Sequence, residues 1–246
     1  MKITLLHLYP EAMSLYGEYA NLTLLSRYLT WRGAEVEVRA VGCDDTPDFA
    51  GADLIYMGAG TERTKKAALS WLFPCKEALK KAVDGGAMVF FTGNAMELLG
   101  ESVTDQKGTR FECLGFGSFT TVETDKRVPH DIIAQTSLFS QPVVGFMNKC
   151  SRTAGVDNPL CSAMTMGMGN EQERGAEGFY LNHVIGTHIT GPVLVKNPAF
   201  LAWIAETILN NRGEALPIPT EEPQWLTHAR RAYQVTLNEL SALANK

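Results

Sequence analysis

The sequence predicts an α/β fold: an open, mainly parallel sheet flanked by helices, with added short strands in the second half. Three observations lead there. Strand-like runs alternate with helical patterns through residue 100, the order expected when each helix returns the chain to start a parallel strand. Ala87 to Phe91 is nearly all apolar, as in a strand covered on both faces. From 109 to 190 the pattern changes to short strands separated by turns.

The first strand is expected over Ile3–Leu8, ending at Tyr9-Pro10. A helix follows from Asn21 to Arg32, with Leu22, Leu25 and Leu29 as its apolar stripe and Gly33 at the position past its end. Glu35 to Val38 alternates charged and apolar residues, which suits an edge strand. Asp53 to Gly58 is the next strand, running into the turn Gly58-Ala59-Gly60. Thr64 to Val83 is helical in pattern, but Pro74 removes a hydrogen bond and predicts two helices or a kink. Strand 87–91 is followed by Thr92-Gly93-Asn94-Ala95 and a short helix through Leu99. Short strands are expected at 118–124, 130–136, 142–147, 177–181 and 184–189. Asn197-Pro198 predicts a capped helix start with proline at the first helical position, closed by Gly213. Residues 1–213 thus read as one domain. Residues 214–223, with Pro217, Pro219 and Pro223, read as a stiff linker. Residues 224–246 read as a C-terminal helix packed on the same domain, with Trp225, Ala229, Tyr233, Leu237 and Leu240 on one side.

Composition narrows the function. The 246 residues carry 22 Lys+Arg against 27 Asp+Glu, a formal charge of −5, and no basic run, so a nucleic-acid partner is not expected. The apolar runs are strand-sized and no membrane association is expected. Met1-Lys2 leads directly into a strand without a signal-peptide layout, and five scattered cysteines suit reduced thiols, so a cytoplasmic location is expected. No CxxC pair occurs, and His183 and His188 lack helical i, i+4 spacing, so no metal site is expected. Met164, Met166 and Met168 alternate as one face of a strand would. No phosphate-loop pattern GxxxxGK[ST] is present, and no cofactor is expected.

Sites in open parallel sheets form beyond the carboxyl ends of the strands, which selects the loops 58–63, 92–97 and 186–198. Phe90 to Glu97 has the layout of a nucleophile elbow: buried strand, small-residue turn, helix. Its apex would be Gly93, which adopts the required left-handed conformation but carries no nucleophile. The alternative is a plain strand–helix turn. The Gly58-Ala59-Gly60 turn has the composition of a backbone anion site, or of a tight turn only. Glu97, with Asn94 and His188, would make a polar pocket; alternatively Glu97 is simply a carboxylate favoured in a helix's first turn.

These segments, with Leu8-Tyr9-Pro10, Tyr16-Gly17, Asn21 and Trp31-Arg32-Gly33, resemble one family over roughly residues 3 to 210. It is the class I glutamine amidotransferase-like family of the cobyric acid synthase and lipid II isoglutaminyl synthase GatD-subunit type. Gly145-Phe146-Met147-Asn148 with Arg152-Thr153 resembles its G-F-E-N-H-x-x-R-T segment. Gly167-Met168-Gly169-Asn170 with Glu177-Gly178 resembles its G-x-G-N…E-G. Gly186 to Pro192 with Lys196-Asn197-Pro198 resembles its G-T-Y-L-H-G-P…K-N-P.

The resemblance implies flavodoxin-like layering. It also implies a reaction in which an elbow cysteine attacks the glutamine amide, a histidine acts as base, and ammonia passes to a synthetase partner. Against the family's C-G-G-Y-Q-L-L-G, the cysteine position is Gly93 and the glutamine position is Glu97. The histidine position is Thr190, and the G-F-E-N-H glutamate and histidine are Met147 and Lys149. Loss of nucleophile and base together implies loss of the chemistry, since such groups act as a unit.

The expectation is therefore a non-hydrolysing pseudoenzyme subunit. Its partner would be a Mur-ligase-like or other ATP-dependent ligase or synthetase, and its ligand a small amide or amino acid such as glutamine. Gly58, Ala59, Gly60, Asn94, Glu97, Asn148 and Arg152 are the expected ligand-binding residues. The alternative is an active glutaminase that supplies ammonia for amidation of a cell-wall peptide or a corrin carboxylate. It would use a non-standard nucleophile, Thr92 or Cys150, with His188 nearby. A third reading is a ligand-binding protein or an enzyme of different chemistry on the same sheet.

Overall fold

The computed structural model describes residues 1–213 and 216–244. Eleven strands form two sheets among them. The first sheet contains β1 (Lys2–Leu8), β2 (Glu35–Val41), β3 (Leu54–Met57), β4 (Met88–Thr92), β10 (Phe179–Leu181) and β11 (Val184–Thr187). Its order is β10-β11-β4-β3-β1-β2, parallel except for the β10–β11 hairpin at one edge. β2 is the other edge, as its charged alternation predicts.

Alternation along the central strands divides the core into two halves, because side-chain direction in a strand has period two. Ile3, Leu5, Leu54, Tyr56, Met88 and Phe90 face helices α1 (Tyr19–Trp31) and α5 (Pro198–Asn211), meeting Leu25, Leu29, Phe200 and Ile204. Leu6, Leu8, Ile55, Met57, Val89 and Phe91 face helices α2 (Glu62–Leu72) and α3 (Lys76–Asp84), meeting Ala68, Leu69, Leu72 and Leu79. Pro74 lies in a single 3-10 turn, Phe73–Cys75, that separates α2 from α3. Gly33 takes φ +96°, as a residue past a helix end must.

The added strands of the second half divide between the sheets. β10 and β11 join the first, whereas β5 (Ser102–Thr104), β6 (Arg110–Glu112), β7 (Thr120–Gln135), β8 (Val143–Ala154) and β9 (Ala163–Met166) make a separate, mostly antiparallel sheet. The strands expected at 118–124 and 130–136 are one strand, β7, with a register shift between Glu123 and Val128 where it pairs with β8. Pairing with β8 is interrupted over the charged run Thr124–Arg127 and resumes at Val128. β8 continues seven residues past the expected end at 147, because Asn148 and Lys149 pair with Pro129 and Val128 and Ser151 to Ala154 pair with the start of β7. The expected short helix at 93–99 winds as a 3-10 helix.

Asn197 does not cap α5 with its side chain. Its amide instead brackets Val144 of β8, accepting from the amide N–H at 2.8 Å and donating to the carbonyl at 2.7 Å. A short helix, α4 (Val193–Lys196), precedes it. Of the 214–223 segment, Glu214 and Ala215 lie outside the described residues; Arg32 donates to the carbonyls of Leu216 and Pro217. The last helix, α6 (Gln224–Ala244), buries Leu226, Tyr233 and Leu240. Tyr233 and Leu240 pack with Ile133 and Val144 of the second sheet. Asn245 and Lys246, the end of the 224–246 segment, are outside the described residues.

Candidate functional site

The two sheets meet at the carboxyl ends of β3, β4 and β11, and there a small cleft of about 180 Å³ opens. Its walls come from the loop after β3 (Ala59–Glu62), the turn after β4 (Gly93, Asn94, Glu97), the middle of β8 (Asn148–Ser151) and the loop after β11 (His188, Thr190).

Gly93 follows β4 directly and has φ +61°. This is the left-handed apex of an elbow, a conformation that costs a residue with a Cβ about 1–2 kcal/mol. The space beside it is filled. A Cβ built on Gly93 would stand 2.5 Å from Ala59 Cβ and 3.1 Å from Thr190 Cγ2. Thr190 is thus beside the apex, and its hydroxyl donates to the Phe146 carbonyl at 3.1 Å.

Asn94 ties the two loops together. Its Oδ1 accepts from Gly60 N at 2.9 Å and its Nδ2 donates to Gly60 O at 2.8 Å. The Gly60 N–H expected to serve an anion is therefore occupied. Gly58 lies behind the loop rather than in the cleft: a Cβ there would meet Met13 O at 2.6 Å and Glu18 Cβ at 2.7 Å. Arg152 is likewise outside the lining, exposed and 3.5 Å from Gln172 Oε1. Strand alternation explains this: Ser151 points inward, so its neighbour points out.

Neither fallback nucleophile is poised. Thr92 is the last residue of β4, with φ −117°, so the register does not slip to make it the apex. Its hydroxyl is fully buried and donates to the Glu18 carboxylate. Glu18 also accepts from Asn21, Tyr56 and Gly191 N, and burial raises its pKa despite those donors. Cys150 does line the cleft, but burial and then the Glu62 carboxylate push its thiol up to about 12. It donates to Glu62 Oε1 at 3.1 Å, with Arg127 Nη2 at 3.3 Å from its sulfur. A thiol so held is a poor nucleophile at neutral pH.

The floor is an ionic cluster. Glu97 pairs with Lys65 of α2 and accepts from Ser151 Oγ at 2.5 Å. Lys65 also meets Glu123 of β7 at 3.0 Å. All three charged groups are almost fully buried. Burial alone would lower the Lys65 pKa, but Glu97 and Glu123 outweigh it and raise it. The carboxylate of Glu97 is thus neutralised by lysine rather than by a helix dipole. Lys149 donates to Asn170 O at 2.6 Å; burial lowers its pKa to about 8, against the pull of Glu97, then Glu177 and Glu171. Glu97 and Lys149 therefore answer each other electrostatically across the cleft. His188 lies between Glu97 and Glu177, kept neutral by burial and then by Lys149 and Lys65. Among the described residues no cluster of His, Cys, Asp and Glu has the arrangement of a metal site, and no helix is long and apolar enough to cross a membrane.

Sequence reasoning missed Lys65, Glu123, Ser151, Glu62 and Arg127. Lys65 carried a readable signal: it lies on the same helical face as Ala68, Leu69 and Leu72, a charge on the buried stripe. Glu123 shares the inward face of β7 with Thr121, and only the meeting with Lys65 of α2 shows what that face opposes.

Solved structures with this architecture are glutamine amidotransferases. One covers 83% of this chain and 98% of its own at a TM-score of 0.55 and 12% identity. Another, from Thermotoga maritima, covers 97% and 94% at a TM-score of 0.50 and 8% identity. The class is thus a glutamine amidotransferase fold with an elbow after a central strand. The CobB/CobQ-like glutamine amidotransferase domain matches residues 4–198, and the chain belongs to that family. It is 27% identical over 212 residues to the GatD subunit of the glutamine-hydrolyzing lipid II isoglutaminyl synthase of Staphylococcus aureus (strain N315), covering 86% of each. It is 28% identical over 225 residues to the same subunit of Streptococcus pneumoniae (strain ATCC BAA-255 / R6), covering 90% of this chain and 86% of that one.

Proposed function

We propose that this chain is a glutamine amidotransferase-like subunit that does not hydrolyse glutamine and that docks on a Mur-ligase-like or other ATP-dependent synthetase. The observation that carries the reading is Gly93. Covalent hydrolysis needs a nucleophile at the apex, a base to take its proton, and room for a tetrahedral centre. Gly93 supplies no nucleophile, Thr190 no base, and Ala59 fills the space a side chain at 93 would need. The partner half rests on kinship: the two relatives are subunits of a synthase.

The test measures ammonia release from glutamine by the natural protein and by an Ala59→Gly/Gly93→Cys/Thr190→His variant. The expected result is silence from the natural protein. Activity in the triple variant supports a cleft that has lost only its chemistry. Release by the natural protein overturns the reading. For the partner, copurification with a Mur-ligase-like synthetase from the same genome is expected, and a chain that stays monomeric with each of them counts against it.

A further inference from the structure

Behind the elbow, one buried carboxyl group joins four segments of the fold. Glu18 is fully buried, and the groups that bond it are neutral donors. Its Oε1 accepts from Gly191 N at 3.0 Å. Its Oε2 accepts from Asn21 Nδ2 at 3.1 Å, from Tyr56 Oη at 3.2 Å and from Thr92 Oγ1. These donors belong to α1, β3, β4 and the loop after β11. Thr92 precedes the apex Gly93, and Gly191 follows Thr190, which lines the cleft. The two chain segments beside the apex thus share one acceptor.

The same atoms accommodate a proton. In the ionised form, Thr92 and Tyr56 donate to the carboxylate. In the protonated form, Glu18 donates from Oε2 to Thr92 Oγ1. Thr92 then donates to Tyr56 Oη, 3.0 Å away, and Tyr56 donates to the Glu18 carbonyl at 2.9 Å. Hydroxyls turn freely, so every O–H keeps a partner without movement of a heavy atom. The Gly191 amide cannot turn. It donates to Oε1 in both forms, to a charged acceptor in one and to a neutral acceptor in the other. Burial favours the neutral form and raises the Glu18 pKa from 4.5 against all four donors. Tyr56 is the ionisable group in contact with Glu18, and burial keeps its phenol protonated. Gly58 and Thr92 face Glu18 from the loop after β3 and from β4 without ionisable side chains. His7 of β1 stands beside Tyr56, ring centroids 5.3 Å apart, and burial keeps it neutral. Lys196 of α4 approaches from the far side of the loop: a Cβ on Gly191 would lie 3.5 Å from its Nζ.

We propose that Glu18 is a proton-controlled clamp on the cleft wall. Ionised, it holds the Gly191 loop by a charge-assisted hydrogen bond, about twice as strong as a neutral one. Protonated, it keeps its place through the reversed hydroxyls and grips that loop less tightly. The wall that carries Thr190 is therefore firmer at high pH and looser at low pH. The clamp uses no side chain at 93 or 190, so it stands whether or not glutamine is hydrolysed.

The test follows two NMR signals of the full-length protein between about pH 5 and 9, a window set by the upward shift of this carboxyl. One is the carboxyl carbon of Glu18. The other is hydrogen exchange at the Gly191 amide, corrected for the intrinsic rate at each pH. The carboxyl is expected to titrate inside the window. Protection of Gly191 is expected to rise about 5- to 10-fold on ionisation, with the same midpoint. The Leu194 amide, which donates to Asn21 Oδ1 at 2.8 Å, reports on the same wall with a neutral acceptor and is expected to show no such step. In Glu18→Gln, which cannot ionise, the step at Gly191 is expected to vanish. A carboxyl that stays ionised or stays protonated across the whole window overturns the proposal. So does a flat profile at Gly191, an equal step at Leu194, or a step that survives Glu18→Gln. The carboxyl, Gly191 and Leu194 readings come from the natural protein, so they decide the matter even where Glu18→Gln does not fold.

Discussion

The closed elbow can be tested by a double-mutant cycle at positions 59 and 93. Gly93→Ala adds one methyl group at φ +61°, 2.5 Å from Ala59 Cβ. The left-handed backbone costs about 1–2 kcal/mol. Forcing a methyl group into a packed site adds about 1–3 kcal/mol. Gly93→Ala alone should therefore destabilise the protein by about 2–5 kcal/mol, the sum of those two effects. Ala59→Gly removes the opposing methyl, leaving its Cα 3.2 Å from the new group. In the double variant the closest clash is gone, while Thr190 Cγ2 at 3.1 Å and Ala59 Cα at 3.2 Å keep part of the overpacking alongside the backbone cost. The coupling energy should then be favourable by about 1–2 kcal/mol, well above the additivity error of about 0.5 kcal/mol. Urea unfolding of the four proteins at one pH gives the number. Additive effects would refute the argument, because they would mean that the apex is open and that its missing side chain is not sterically opposed.

Three further outcomes follow from the same geometry. Lys65→Met should destabilise by about 3–5 kcal/mol in urea unfolding, because it leaves Glu97 and Glu123 buried beside each other; adding Glu97→Gln and Glu123→Gln should recover much of that loss. His7 is held neutral by burial, its pKa lowered from 6.5 to about 4 despite Glu11. The unfolded chain then binds this proton first, so His7 removes stability as pH falls from 6.5 towards 4, by about 3 kcal/mol in all. A His7→Gln variant should lose less stability than the natural protein across that window, and parallel curves would refute the assignment. Cys150 should resist iodoacetamide at pH 7.5 in the folded protein and react in urea, as read by peptide mass; rapid native labelling would show an activated thiol and reopen a Cys150 nucleophile.

The buried charges of the cleft depend on one another. A carboxylate at 97 without Lys65 would be an unpaired buried charge. A lysine at 149 without the carboxylates would be driven further towards neutrality. Each of these charges alone would be costly to bury, and Lys65 with Glu97 and Glu123 makes a paired cluster beside Lys149.

Local sequence was sufficient wherever a short-range rule acts. Short, nearly continuous apolar runs determined β1, β3 and β4. Pro74 determined the break between α2 and α3, and the glycine at 93 determined an apex without a nucleophile. These depend on backbone sterics and on burial of a periodic face, which a few neighbouring residues encode. Tertiary structure decided the rest. The joining of 120–135 into one strand, the second sheet, the bracketing of Val144 by Asn197, and the meeting of Lys65, Glu97, Glu123 and His188 all join residues distant in sequence. No local pattern records which charge will face which. That depends on the register of β7 on β8 and on how the two sheets meet, and there the buried charges are compelled to find partners or remain neutral.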